Sequence, residues 1–169
     1  NYKNILIKSF FKELKPYYKV KYINERKPLG TAGVLSKLSK MNKRFLITNC
    51  DTLIQYNLDD LILFHEKNKF DLTLVVASKI NQIPYGVCEV SNNRLKQIYE
   101  KPEQQYLANT GVYLAESKVF KNLKKNTNTS FVDLIKTCLK KKIKVGVYPV
   151  PDIAWKDFGQ SPNFNESTN

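Results

Sequence analysis

Arg44-Phe45-Leu46-Ile47-Thr48 runs directly into Asn49-Cys50-Asp51. A short apolar run ending in turn residues predicts a strand of the kind buried on both faces. In open α/β sheets ligands bind beyond the carboxyl ends of strands, so Asp51 stands where chemistry is expected. The sequence alternates on either side of this strand. Downstream, Asn57 can cap a helix, Asp59 and Asp60 complement the dipole of its first turn, and Leu58, Leu61, Ile62 and His65 form one apolar stripe. Residues 71–77 are a second continuous apolar strand. Upstream, Lys27-Pro28-Leu29-Gly30-Thr31-Ala32-Gly33 is a turn that opens a helix with the stripe Val34, Leu38, Met41. Residues 18–24 alternate aromatic and β-branched side chains with lysines, which predicts a strand. Ahead of them, Ile7, Phe10, Phe11 and Leu14 stand at helical spacing.

Beyond residue 80 the pattern changes. Residues 85–90 and 94–99 are extended runs joined by Ser91-Asn92-Asn93, a hairpin signal. Residues 108–114 predict another strand. Ser130 with Asp133 forms a capping box before Phe131, Leu134, Ile135 and Cys138, and Lys140 to Lys142 suit the end of that helix. Residues 144–148 are a last strand, followed by a loop carrying Asp157, and Ser161-Pro162-Asn163 reads as the start of a further helix. Strands alternate with helices, and antiparallel pieces are inserted in the middle. The predicted class is α/β with a mixed sheet, in one domain over residues 1–169 with no repeat or linker.

Composition excludes several functions. The 169 residues carry a net charge of +13, yet 25 of the 28 basic residues are lysine and only Arg26, Arg44 and Arg94 are arginine. Nucleic-acid readers lean on arginine and on basic faces interleaved with aromatics, so the charge reflects a lysine-, asparagine- and isoleucine-rich coding bias rather than a nucleic-acid partner. A small anionic substrate suits the field. Cys50, Cys88 and Cys138 lie far apart and His65 is the single histidine, which argues against zinc and for a reducing, cytoplasmic setting. No apolar stretch approaches the roughly 20 residues of a membrane span, so no membrane partner is expected.

Two carboxylates stand out, Asp51 past one strand and Asp157 past the last. Carboxylates converging from distant segments repel unless a cation or proton lies between them. Mg²⁺ held by one or two carboxylates and by substrate phosphates is the usual resolution, although Asp51 could simply start a turn. The two glycines of Leu29-Gly30-Thr31-Ala32-Gly33 would let a ligand approach free N–H groups at a helix mouth. Alone that is a weak signal, since glycine before a helix is common.

The motifs occur in a telling order. Lys27-Pro-Leu-Gly-Thr-Ala-Gly33, Phe45-Leu-Ile-Thr-Asn-Cys-Asp51, Ile83-Pro-Tyr-Gly-Val87, Glu100-Lys-Pro102, Asn109-Thr-Gly-Val-Tyr113 and Trp155-Lys-Asp-Phe-Gly159 together resemble the sugar-1-phosphate nucleotidylyltransferases over residues 17–160. The resemblance implies a Rossmann-like nucleotide-diphospho-sugar transferase fold, a mixed, mostly parallel sheet flanked by helices, incomplete at its N-terminus. It implies attack of a sugar 1-phosphate on the α-phosphorus of a nucleoside triphosphate, giving nucleotide-sugar and pyrophosphate. It places Leu29, Gly30 and Thr31 at the nucleotide, and Asp51 and Asp157 on Mg²⁺. Tyr85, Gly86, Glu100, Lys101, Asn109 and Gly111 fall at the sugar phosphate, with Lys101 on the phosphate itself. Catalysis then rests on Asp51, Asp157 and Lys101, and a homo-oligomer is compatible.

Two departures from the family pattern stand beside the match. Cys50 occupies a position that is usually glycine. The family's glycine-rich, arginine-bearing phosphate loop normally precedes everything in this chain, and none of the six glycines makes it. Three readings compete: the larger part of a nucleotidylyltransferase whose front lies outside this chain, a truncated relative that binds sugar phosphate or nucleotide without turnover, and a glycosyltransferase of related fold. The Leu-Gly-Thr-Ala-Gly and Glu-Lys-Pro runs favour the first over the third. Ile83-Pro-Tyr-Gly and Cys50 lean towards the mannose-1-phosphate guanylyltransferase-like branch.

Overall fold

The computed structural model describes residues 3–160. The chain up to Lys43 with Glu116–Ile143 forms one compact unit, and Arg44–Ala115 with the chain from Lys144 forms the other. The expected helix at Ser161 lies outside the described residues.

The second unit holds the strands. They are β1 (Arg44–Thr48), β2 (Thr52–Ile54), β3 (Leu72–Gln82), β4 (Val87–Ser91), β5 (Arg94–Tyr99), β6 (Glu103–Glu116), β7 (Val145–Pro151) and β8 (Trp155–Asp157). Four of them form a mixed sheet in the order β1-β6-β3-β7, in which β3 runs parallel to β7 and antiparallel to β6. With the helices this gives the α/β class expected. Leu61, Val75, Ala77, Val112, Leu114 and Val150 make the core, with Ile54, Tyr148 and Trp155 packed against it. Each of the leucine and valine side chains so removed from water contributes about 1.5–3 kcal/mol.

Leu61 comes from the helix Leu58–Lys67, whose start is fixed as its residues predict: the Asn57 side chain accepts from Asp59 N–H at 2.9 Å. One turn further on, His65 is 1 % exposed and its Nδ1 lies 2.7 Å from Thr73 Oγ1, which ties the helix to β3. The β4–β5 hairpin also follows its signal. Ser91 pairs with Arg94, and Asn92 and Asn93 take φ +49° and +60°, the left-handed pair of a type I′ turn that asparagine tolerates.

Among its described residues the other unit carries two α-helices, Asn4–Leu14 and Phe131–Lys140, and two 3-10 helices, Gly33–Leu38 and Ser117–Asn122. The capping box of Phe131–Lys140 is present: Ser130 Oγ accepts from Asp133 N–H at 3.1 Å, and Ser130 N–H donates to the Asp133 carboxylate at 3.4 Å. The Ser130 hydroxyl also donates to the Asp133 carboxylate at 2.7 Å, and this bond, with the weaker one from Ser130 N–H, holds the Asp133 carboxyl below the usual carboxylate range. Helix Asn4–Leu14 forms where the stripe Ile7, Phe10, Phe11, Leu14 predicts it, although none of its residues is buried.

Several expectations are corrected. Residues 18–24 form no strand, because their alternating pattern finds no neighbouring strand to complete a ladder among the described residues. The helix expected after Gly33 is a 3-10 helix of six residues, with Met41 in a following turn. Ser36 and Ser39 hydroxyls bond the carbonyls three residues back, at 2.8 Å each, which suits the tighter winding. β1 is at the sheet's edge among the described residues and is only half-buried, with Leu46 46 % exposed, so it is not a strand covered on both faces. β3 and β6 are longer than their apolar stretches, since they continue together as a polar ribbon. Asp157 lies in β8 and not in a loop, because the segment pairs with β2. No helix is long and apolar enough to cross a membrane among the described residues.

Candidate active site

The carboxylates meet through a small antiparallel pair. β2 and β8 register Thr52 with Asp157 and Ile54 with Trp155, and Phe158 N–H donates to the Asp51 carbonyl at 2.9 Å. Asp51 and Asp157, distant in sequence, thereby flank Gly159. Gly159 N–H donates to Asp157 Oδ1 at 2.9 Å. A Cβ at Gly159 would lie 2.8 Å from Asp51 Oδ2 and 3.3 Å from Asp157 Oδ1, so the two oxygens are no more than about 6 Å apart, the sum of those distances. Any larger residue at 159 would push into the carboxylates. Neither aspartate forms an ion pair among the described residues.

Two hard oxygen donors this close, without a cationic partner, suit a divalent ion such as Mg²⁺. No cluster of three or more His, Cys, Asp or Glu side chains that could hold a metal occurs among the described residues. A metal here would thus take two protein carboxylates and leave its other positions to water or substrate phosphates. Trp155 contributes packing, on the core side of β8 with the Lys79 ammonium 5.0 Å from its ring centroid.

The second cluster lies at the end of the β3–β6 ribbon. Past the last ladder pair, Gln82 with Glu103, Ile83 N–H donates to the Pro102 carbonyl at 3.0 Å. This brings Ile83-Pro84-Tyr85-Gly86 beside Glu100-Lys101-Pro102. A Cβ on Gly86 would stand 3.3 Å from Glu100 Oε2, so the absent side chain leaves the carboxylate its place. Lys101 turns the chain itself: its φ is +44°, a left-handed conformation strained for a side-chain-bearing residue before proline. Tyr85 is 74 % exposed and is not a core aromatic.

The third cluster is a bulge in β6. Val75 pairs with Val112 but Val76 with Asn109, which leaves Thr110 and Gly111 outside the ladder. Gly111 has φ +79°, and a Cβ there would run into the Asn49 side chain. The Thr110 hydroxyl, buried, donates to the Val75 carbonyl at 2.8 Å and replaces a missing ladder bond. Asn109 donates from its amide to the Tyr113 hydroxyl at 2.8 Å and accepts from Gly111 N–H at 3.3 Å. Burial raises the Tyr113 pKa, and the Asn109 bond opposes that rise. The bulge touches the Asp51 segment twice. Asn49 N–H donates to the Gly111 carbonyl and Thr52 Oγ1 to the Thr110 carbonyl, each at 3.2 Å.

In the other unit, the turn at Leu29 is already engaged. Leu29 N–H donates to Glu25 at 3.3 Å, its carbonyl accepts from Thr129 N–H at 2.9 Å, and Ala32 N–H donates to the Thr129 carbonyl at 3.0 Å. Gly30 has φ +72°, and a Cβ there would run into that carbonyl and the Asn128 side chain. Thr31 Oγ1 accepts from Phe131 N–H at 2.8 Å. The amides of Gly30 and Thr31 make no bond among the described residues, so they are the turn's available donors.

Of the residues that sequence reasoning brought forward, Asp51, Asp157, Tyr85, Gly86, Glu100, Lys101, Asn109 and Gly111 lie in one unit, and Leu29, Gly30 and Thr31 in the other. No hydrogen bond or ion pair joins Glu100 or Lys101 to the carboxylate pair among the described residues. Sequence reasoning missed Asn49, Thr52, Thr110 and the packing role of Gly159. A glycine inside a strand pattern is a bulge signal, so Gly111 could have given the third cluster. Nothing local marks Thr52.

The profile of the nucleotidyl transferase family matches residues 1–169. The chain belongs to that family. Within it, the chain is 31 % identical over 134 residues to the mannose-1-phosphate guanyltransferase of Emericella nidulans, covering 73 % of this chain and 37 % of the relative. It is 29 % identical over 144 residues to the D-glycero-alpha-D-manno-heptose 1-phosphate guanylyltransferase of Campylobacter jejuni, covering 83 % of this chain and 63 % of the relative. The chain thus spans less than two thirds of the length of either nucleotidyl transferase. Its fold matches the crystal structure of HddC from Yersinia pseudotuberculosis with a TM-score of 0.68 at 20 % identity, over 98 % of this chain and 72 % of that one.

Proposed function

We propose that this nucleotidyl transferase joins a nucleoside triphosphate to a sugar 1-phosphate. A phosphate oxygen of the sugar 1-phosphate bonds to the α-phosphorus, the bond to the β-phosphate oxygen breaks, and pyrophosphate leaves with that electron pair. The observation that carries this reading is the Asp51–Asp157 pair around Gly159, a two-carboxylate site suited to a metal shared with phosphates. Mg²⁺, when bound, neutralises phosphate charge and favours the leaving of pyrophosphate.

The chain's own residues hold and orient. Asp51 and Asp157 hold the metal. Lys101 places an ammonium on the sugar phosphate, and Glu100, beside Gly86 and Tyr85, accepts from sugar hydroxyls. Asn109 and Gly111 contact the sugar, while the free amides of Gly30 and Thr31 and the backbone of Leu29 serve the nucleotide. Each charged contact is of the charge-assisted kind, which is shorter and stronger than a neutral bond. Names of the relatives support a guanylyl donor and a manno-configured sugar, in nucleotide-sugar synthesis.

Pyrophosphate release with GTP and mannose 1-phosphate, and with GTP and manno-heptose 1-phosphate, tests the reading in the protein that carries these residues. Asp51→Asn is expected to cut turnover more than about tenfold with the circular dichroism spectrum unchanged, since a metal ligand is lost and not a core side chain. Near-normal turnover at saturating Mg²⁺ would reduce Asp51 to a turn residue.

A further inference from the structure

We propose that Thr52 and the β6 bulge are the positioning device of the carboxylate pair. This rests on the reading of Asp51 and Asp157 as metal ligands, and it gives roles to Thr52 and Thr110, to which neither the motifs nor the family resemblance assigned one. Thr52 occupies a double position: it follows Asp51 in the chain and is the ladder partner of Asp157. Directly opposed residues of an antiparallel pair share a face, so the Thr52 and Asp157 side chains leave the β2–β8 pair on the same side. The Thr52 hydroxyl ends on the Thr110 carbonyl at 3.2 Å. On the other side of Asp51, Asn49 N–H ends on the next carbonyl, that of Gly111, at 3.2 Å. Two consecutive carbonyls therefore hold the chain on both sides of one aspartate, through the Asn49 N–H before it and the Thr52 hydroxyl after it.

The geometry explains why the grip is available. Inside a regular ladder, those carbonyls would be taken by a neighbouring strand. The two-residue bulge releases them, and the left-handed Gly111 lets the chain turn without a Cβ against Asn49. Thr110 is in turn anchored, through its buried hydroxyl, to the Val75 carbonyl in the centre of the sheet. A path of direct contacts runs from the core strand β3 through Thr110 and Thr52 to the segment bearing Asp51. Asn109 and Gly111, proposed at the sugar, belong to the same bulge, so one element would set both the metal ligands and the sugar contact.

Mn²⁺ titration followed by electron paramagnetic resonance, with the metal alone as probe, tests this without turnover. Thr52→Val keeps the β-branched shape and loses the donor. It is expected to weaken Mn²⁺ binding by about three- to tenfold, the range of one lost neutral hydrogen bond. Thr52→Ser keeps the hydroxyl and is expected to restore binding to within about twofold of the parent on the same grounds. Should Thr52→Val not fold, Thr52→Ala loses the same donor and carries the same expectation. Asp51→Asn serves as the reference. If it leaves Mn²⁺ binding intact, the metal reading itself fails. If Asp51→Asn removes binding while Thr52→Val binds as tightly as the parent, the metal reading stands and the positioning role is overturned.

Discussion

The two halves of the β3–β6 ribbon share one ladder and live in different surroundings. From Leu72 to Ala77, β3 is almost wholly buried, as is β6 from Thr110 to Ala115. From Ser78 to Gln82 and from Glu103 to Leu107 the same strands stay paired residue for residue, yet they are largely exposed, with Ile80 at 63 % and Leu107 at 55 %. The bulge at Thr110 and Gly111 lies on the border. Backbone pairing is thus the same on both sides, and side-chain burial is what differs. One half supplies core energy. The other carries Ile83–Gly86 and Glu100–Pro102 out to its tip, where the chemistry-bearing side chains have little packing to disturb.

The contrast can be broken by substitution. Leu114→Ala, in the buried half at 2 % exposure, is expected to cost about 2–5 kcal/mol in urea unfolding, the range for a leucine-sized cavity. At the border, Gly111→Ala forces an alanine to φ +79° with its Cβ against Asn49, an expected loss of about 1–3 kcal/mol in the same measurement. A cost near zero there would mean that the bulge is soft and that Asn49 yields freely. In the exposed half, Leu107→Ser is expected to stay within about 0.5 kcal/mol of the parent. If Leu107→Ser destabilised as much as Leu114→Ala, the exposed half would be part of a core and the contrast would collapse.

Much of the molecule is legible locally. Asn57 and the Ser130–Asp133 box mark helix starts because a cap involves residues within one turn. Asn92-Asn93 marks a hairpin because a type I′ turn needs left-handed residues at two adjacent positions. The apolar run beginning at Leu72 marks a buried strand because its neighbours on both sides are apolar in their own right. Asp51 and Asp157 are legible as candidates by position, one past each of two strands.

What the sequence by itself determined, then, are the helix starts, the hairpin turn, the central apolar strand and the identities of the charged residues. Tertiary structure alone decided that β1 lies at an edge, that residues 18–24 find no partner, and that Asp157 sits in a strand opposite Thr52. It alone decided that two residues of β6 fall out of register and hand their carbonyls to Asn49 and Thr52. Caps and turns are settled by atoms a few residues apart. Strand pairing and register are settled by segments far apart in the chain, Thr110 against Val75 and Thr52 against Asp157, whose shared packing no local pattern records.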